Sequence, residues 1–227
     1  MSSRTVLLLG ATGLVGGHAL AELAHDDAWS RVVTLGRRPM DRASSRHEHH
    51  VVDFNHLENH RERFACDDLA ICLGTTIKKA GSQAAFRRVD LELPMEAAEL
   101  AYDRGARHLA IVSALGADPH SRIFYNRTKG EAEHALQSVG YGGVHILRPS
   151  ILDGERDESR PAERIGLAVL GALAPVMVGP LRPYRPTPAH DVALALVHAL
   201  RQRETGTHVL EPEAIREAAE QREASAL

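Results

Sequence analysis

The chain is short of cysteine, of net charge and of lysine. Its 227 residues include two cysteines, Cys66 and Cys72, which match neither a disulfide framework nor a paired metal knuckle and suit a reducing compartment. Lys and Arg number 27 against 30 Asp and Glu, a net charge of −3, so no global field draws the protein to nucleic acid or to an anionic membrane. Residues 165–179 carry no charge, but this run is too short, and too broken by Gly and Pro, to span a bilayer. It is expected to border substrate space or to form a subunit contact, which leaves a homo-oligomer open. No repeat or low-complexity linker interrupts the chain, and no signal or transit pattern precedes the first apolar run, so a cytoplasmic location is expected. These absences leave a small molecule, held locally, as the partner.

What is present begins with residues 5–17. An apolar run over residues 6–9 is followed by glycines at 10, 13 and 16 and then by helical spacing over residues 14–23, which reads as strand, tight turn, helix. Such a turn brings backbone N–H groups close to a ligand, and the helix N-terminus adds a positive dipole end, so a diphosphate fits. In a unit of βαβ size this is the setting of a dinucleotide site, with Gly10, Thr12, Gly13, Leu14, Val15 and Gly16 as its loop. Residues 31–36 form a second strand ending in Arg37 and Arg38, roughly twenty residues beyond the loop. NAD enzymes place a carboxylate there for the ribose hydroxyls, whereas guanidinium groups fork onto a 2′-phosphate. NADP(H) is therefore expected over NAD(H).

Residues 41–50 hold His47, His49 and His50, which read as solvated loop histidines because neighbours on a loop do not converge into a metal cage; no metal is expected. A third strand is expected over residues 51–54, putting Asp53 and Phe54 where adenine can be bonded and flanked, and a weak amphipathic helix over residues 55–64. A fourth strand breaks near Leu73 and Gly74, so that Thr75 and Thr76 can reach ribose or phosphate oxygens. Residues 82–103 are mostly helical, with Pro94 marking a kink or a restart, and Asp90 is read as structural. A fifth strand delivers Ser113 to the same sheet edge. Tyr125 and Lys129 then lie four residues apart on one helix face. A phenol ionises near pH ~10 in model compounds and needs an adjacent cation to work as acid or base near neutrality. Lys129 is one of only three lysines, with Lys78 and Lys79, so this pairing after the fifth strand argues against chance. Residues 144–147 form a sixth strand, residues 189–200 a helix, residues 207–210 a last strand and residues 213–223 a polar helix. Alternating β and α elements argue for a Rossmann-like, doubly wound parallel sheet in one domain spanning residues 1–227, with residues 151–190 covering the substrate.

With these residues in view the sequence resembles the atypical short-chain dehydrogenase/reductases, and more narrowly the oxidoreductase family named for the HIV Tat-interacting protein. The narrower likeness rests on the Leu-Gly-Thr-Thr beginning at Leu73, the Tyr125 and Lys129 pair, the Leu-Arg-Pro beginning at Leu147 and the Glu-Ser-Arg-Pro beginning at Glu158. It implies NADP(H) binding, in which Tyr125 and Lys129 also take part, and a Ser113, Tyr125 and Lys129 active site reducing a carbonyl substrate. It further implies that the backbone of Arg148, Pro149 and Ile151 meets the nicotinamide. Two alternatives stand beside this: a nucleotide-sugar epimerase or dehydratase, and a non-catalytic protein that senses NADPH.

Overall fold

The computed structural model describes residues 4–153, 182 and 184–225. The chain opens with β1 (Arg4–Leu9), α1 (Leu14–His25), β2 (Trp29–Gly36), β3 (His47–Val51), a 3₁₀ stretch (Leu57–Phe64) and β4 (Asp68–Ile71). Two short helices, α2 (Ile77–Ala80) and α3 (Gln83–Arg87), lead through a π-helical turn (Arg88–Glu92) into α4 (Leu93–Asp103). There follow β5 (His108–Val112), α5 (Phe124–Gln137), β6 (Gly143–Leu147), β7 (Leu152–Asp153) and β8 (Thr187–Pro188), and then α6 (Ala189–Gln202), β9 (Gly206–Leu210) and α7 (Pro212–Ala224).

Seven strands form one sheet in the order β3-β2-β1-β4-β5-β6-β9, with every pairing parallel. The apolar run in β1 explains its central place, because an interior parallel strand is covered on both faces. Leu7 and Leu9 face one side with Leu35, Ile71, Leu109, Phe64, Ala97 and Leu136. Val6 and Leu8 face the other with Leu20, Leu23, Leu147, Leu196 and Ile215. The strand order turns back on itself between β1 and β4, and ligands of doubly wound sheets bind outside the carboxyl ends of the strands at such a point. The expected Rossmann-like architecture is thus present. Beyond it, β7 pairs with β8 in a separate two-stranded parallel sheet.

Three expectations change. The third strand lies at His47–Val51 and not at residues 51–54, and its polar His-Glu-His-His-Val composition suits its place at the sheet edge. His47 is accordingly fully buried, not solvated. The expected helix over residues 55–64 is 3₁₀, broken at His60 (φ −114, ψ 18). Pro94 stands in the first turn of α4, the restart that the sequence allowed. It lacks an N–H, and its ring would clash with the carbonyl four residues back, that of Asp90; the helix widens there, and the N–H of Leu93 reaches the carbonyl of Arg88 five residues earlier. Residues 165–179 lie outside the described residues.

Candidate active site

The glycine loop is closed by contacts that only glycine permits. Gly10 sits at φ +88, and a Cβ there would lie 2.5 Å from the Cys72 carbonyl oxygen; a Cβ on Gly16 would lie 2.0 Å from the carbonyl oxygen of Gly10. Strand end, loop and helix start are therefore packed backbone to backbone. The N-cap of α1 is Gly13, with no side-chain hydrogen bond to cap it, so N–H groups of the first turn are offered to an anion. Val15 is buried in the core and Leu14 packs against it, which leaves their backbone for a ligand, while Thr12 is exposed. These features fit the diphosphate of a dinucleotide.

The other expected cofactor residues stand along the same carboxyl edge. Arg37 and Arg38 are exposed just beyond β2, and Asp53 lies just beyond β3. Phe54 packs against the core, and its carbonyl accepts from Arg88 at 2.9 Å. Leu73 packs inward and Gly74 is exposed. The Thr76 hydroxyl accepts from the N–H of Lys79 as the N-cap of α2, which leaves its O–H and a second lone pair for a ligand. The N–H of Thr75 donates to Asp90 at 3.0 Å.

Asp90, read from the sequence as structural, reaches into the site from the π-turn. The π-turn presents its carboxylate to Lys129, with Nζ and Oδ1 2.7 Å apart and the two side chains 7% and 1% exposed. Burial disfavours the Lys129 ammonium, but Asp90, Tyr125 and Glu133 outweigh it and hold the pKa above the ordinary lysine value. One carboxylate thus ties the end of β4 to Lys129. Tyr125, one turn earlier on α5, is half-buried with its ring 5.5 Å from that of Phe86.

Ser113 lies just past β5 and is buried. Its N–H donates to the Leu147 carbonyl at 2.7 Å, which sets it beside the end of β6. Its hydroxyl donates to Glu133, whose carboxylate is also held by Arg148 through Nε at 3.0 Å and Nη2 at 2.5 Å. The Arg148 side chain is committed to this pair. Pro149 is held by its carbonyl, which accepts from Leu115 at 2.9 Å, and Ile151 is 51% exposed. Glu133 went unnoticed in the sequence, yet the signal was there: residues 125, 129 and 133 are spaced to share one helix face. The cavity of about 470 Å³ between β9, α6 and α7 is lined by none of these residues.

Glycine loop, switch point and buried lysine one turn from a tyrosine define a nucleotide-binding protein of the short-chain dehydrogenase/reductase type. The chain belongs to the NAD dependent epimerase/dehydratase family, whose pattern matches residues 6–211. It is 34% identical over 177 residues to Protein HTATIP2 of Rattus norvegicus, covering 76% of this chain and 73% of that protein. It is 34% identical over 178 residues to Protein fmp52, mitochondrial, of Emericella nidulans, covering 75% and 76%. The resemblance to the Tat-interacting family is thereby borne out. In fold it is similar to MoeE5 in complex with UDP-glucuronic acid and NAD (TM-score 0.70, 20% identity, 92% of this chain and 76% of that one). It is also similar to UDP-N-acetylglucosamine 4-epimerase from Bacillus cereus (TM-score 0.65, 17% identity, 96% and 84%). Among the described residues no helix is long and apolar enough to cross a membrane, and no group of three or more His, Cys, Asp or Glu is placed to hold a metal ion.

Proposed function

We propose that the protein is an NADP(H)-dependent oxidoreductase that reduces a carbonyl compound, with Ser113, Tyr125 and Lys129 at the reacting end. The observation that carries this reading is Lys129: buried, paired with Asp90 at 2.7 Å and one helical turn from Tyr125. A charge held in place before reaction needs no reorganisation when a proton moves beside it. The dinucleotide would be held by residues 10–16 at its diphosphate, by Arg37 and Arg38 at a 2′-phosphate, by Asp53 and Phe54 at adenine, and by residues 73–76 and 148–151 toward the nicotinamide. When bound, it supplies the hydride. Tyr125 donates its hydroxyl proton to the substrate oxygen as negative charge gathers there, and the Lys129 ammonium stabilises the phenolate left behind. Ser113 can accept a hydrogen bond from a substrate hydroxyl as it stands. To donate to a carbonyl oxygen, its hydroxyl must turn away from Glu133. A single domain with residues 151–190 toward the substrate belongs to this reading, as does a cytoplasmic location, supported by the free cysteines Cys66 and Cys72; cell fractionation checks the location against the fungal relatives named mitochondrial.

The test is Tyr125→Phe, assayed by NADPH oxidation over a panel of aldehydes and ketones together with NADPH binding. Turnover should fall by about 10²–10⁴, the span of general acid catalysis, with the Kd kept. Wild-type turnover in the folded variant would defeat the mechanism, whereas NADPH binding by wild type with no turnover across the panel would favour an NADPH sensor. A second reading, a nucleotide-sugar epimerase or dehydratase, is favoured by the family itself. Conversion of a UDP-sugar without net NADPH oxidation would select it.

A further inference from the structure

The histidines of β3 form a chain of hydrogen bonds that the function so far leaves unused. Thr34, fully buried in β2, lies between His47 and His49: its Oγ1 is 2.8 Å from Nε2 of His47 and 2.9 Å from Nδ1 of His49. At one end, the N–H of Ala43 meets Nδ1 of His47 at 2.9 Å; at the other, Nε2 of His49 meets the carbonyl oxygen of Arg38 at 2.9 Å.

Elementary hydrogen-bond chemistry gives this chain a direction. A backbone N–H only donates and a carbonyl oxygen only accepts. Nδ1 of His47 must therefore accept, which puts its proton on Nε2, facing Thr34. At the far end Nε2 of His49 must donate to Arg38, and in the neutral ring Nδ1 then accepts the proton of the Thr34 hydroxyl. Met40 sulfur, 3.8 Å from Thr34, is a poorer acceptor than an imidazole nitrogen at 2.9 Å. His47 is thus a neutral ring protonated at Nε2, and burial together with His49 and Arg42 lowers its pKa. The chain joins the beginning of the connection between β2 and β3 to its middle through a buried hydroxyl. Room for it is made at Gly36, where a Cβ would lie 2.8 Å from Cε1 of His49. A second tie, Nε of Arg42 to the His47 carbonyl at 2.9 Å, holds the same connection against the strand.

We propose that His49, oriented by Thr34 and His47, is a positioning and specificity-determining residue for the adenosine 2′-phosphate. Its Nε2–H fixes the Arg38 backbone, and so the points from which the Arg37 and Arg38 guanidinium groups start. The proposal rests on the reading that these arginines meet that phosphate. It assigns to His49 the difference between two exposed, freely moving cations and a pair set in place before the cofactor arrives, which is where preorganisation adds affinity. NADH has no 2′-phosphate and should not sense the device.

The experiment titrates NADPH and NADH into wild type, Arg38→Ala, His49→Leu, His49→Gln and Thr34→Val. Wild type should prefer NADPH. His49→Leu and the near-isosteric Thr34→Val should each weaken NADPH binding roughly threefold to tenfold, as for a lost neutral hydrogen bond, and leave NADH nearly unchanged. His49→Gln, whose amide can donate toward the same carbonyl, should recover most of the preference. A merely structural role would weaken both cofactors together and would not be rescued by Gln. If Arg38→Ala loses the preference while His49→Leu and Thr34→Val keep it, His49 has no such role and the arginine reading stands. If Arg38→Ala keeps the preference, or wild type has none, the arginine reading fails and the proposal fails with it. Should His49→Leu not fold, Thr34→Val breaks the same chain from the core side and decides alone.

Discussion

At the scale of single residues, Asp90 matters most. It accepts from the N–H of Thr75 and pairs with the buried Lys129, so removing it strands an ammonium where water cannot replace the partner. Asp90→Ala should destabilise the protein by about 3–5 kcal/mol, the usual cost of breaking a buried ion pair. Lys129→Met combined with Asp90→Asn removes both charges together and should recover much of that. Urea unfolding measures both, and an Asp90→Ala variant within about 1 kcal/mol of wild type would show that the pair holds little. The sequence revealed the residues whose chemistry is rare, such as a lysine among three and a tyrosine one turn before it. It hid Asp90 and Glu133, because an acidic residue in a helix looks the same whether it faces solvent or a buried cation.

The glycine loop was readable because its chemistry is a matter of missing atoms, and the helix that follows makes this measurable. Alanine is normally the better helix former by about 1 kcal/mol. At Gly17 an added Cβ meets the Ala11 carbonyl oxygen at an ordinary 3.7 Å, whereas at Gly16 it would be 2.0 Å from the backbone oxygen of Gly10. Gly17→Ala should therefore leave the thermal midpoint unchanged or raise it, while Gly16→Ala should cost about 1–3 kcal/mol through overpacking and weaken cofactor binding as well. Equal midpoints for the two would mean that the strand, turn and helix are not packed as described. Other elements were legible only in part. The third strand escaped its proper place because an edge strand carries polar residues that mimic a loop. The π-turn escaped because Pro94 announces a disturbance without specifying its form.

For the molecule as a whole, the doubly wound order followed from alternating apolar runs and helical spacings, and the family pattern spans nearly the same stretch. Its 14 histidines make acid the condition to watch. Burial, with His208 and His108 nearby, pushes His145 down to about 4, and burial lowers His47, His50, His108 and His198 as well. Between about pH 6.5 and 4 the unfolded chain binds a proton that folded His145 refuses, so stability is full above pH ~6.5 and declines as the pH falls through that window. At about 1.4 kcal/mol per unit, His145 alone accounts for about 3 kcal/mol by pH ~4. Urea midpoints at pH 7 and 5 should differ in this direction, with a smaller difference in His145→Gln; identical midpoints in wild type would refute the assignment. The small sheet of β7 and β8 has a consequence of another kind. It holds Leu152 beside Thr187 and Asp153 beside Pro188, so whatever chain joins them begins and ends at one place. Parallel neighbours cannot be joined by a tight hairpin and need a crossover of a dozen or more residues, so this small sheet commits two distant points of the chain to one another outside the seven-stranded sheet.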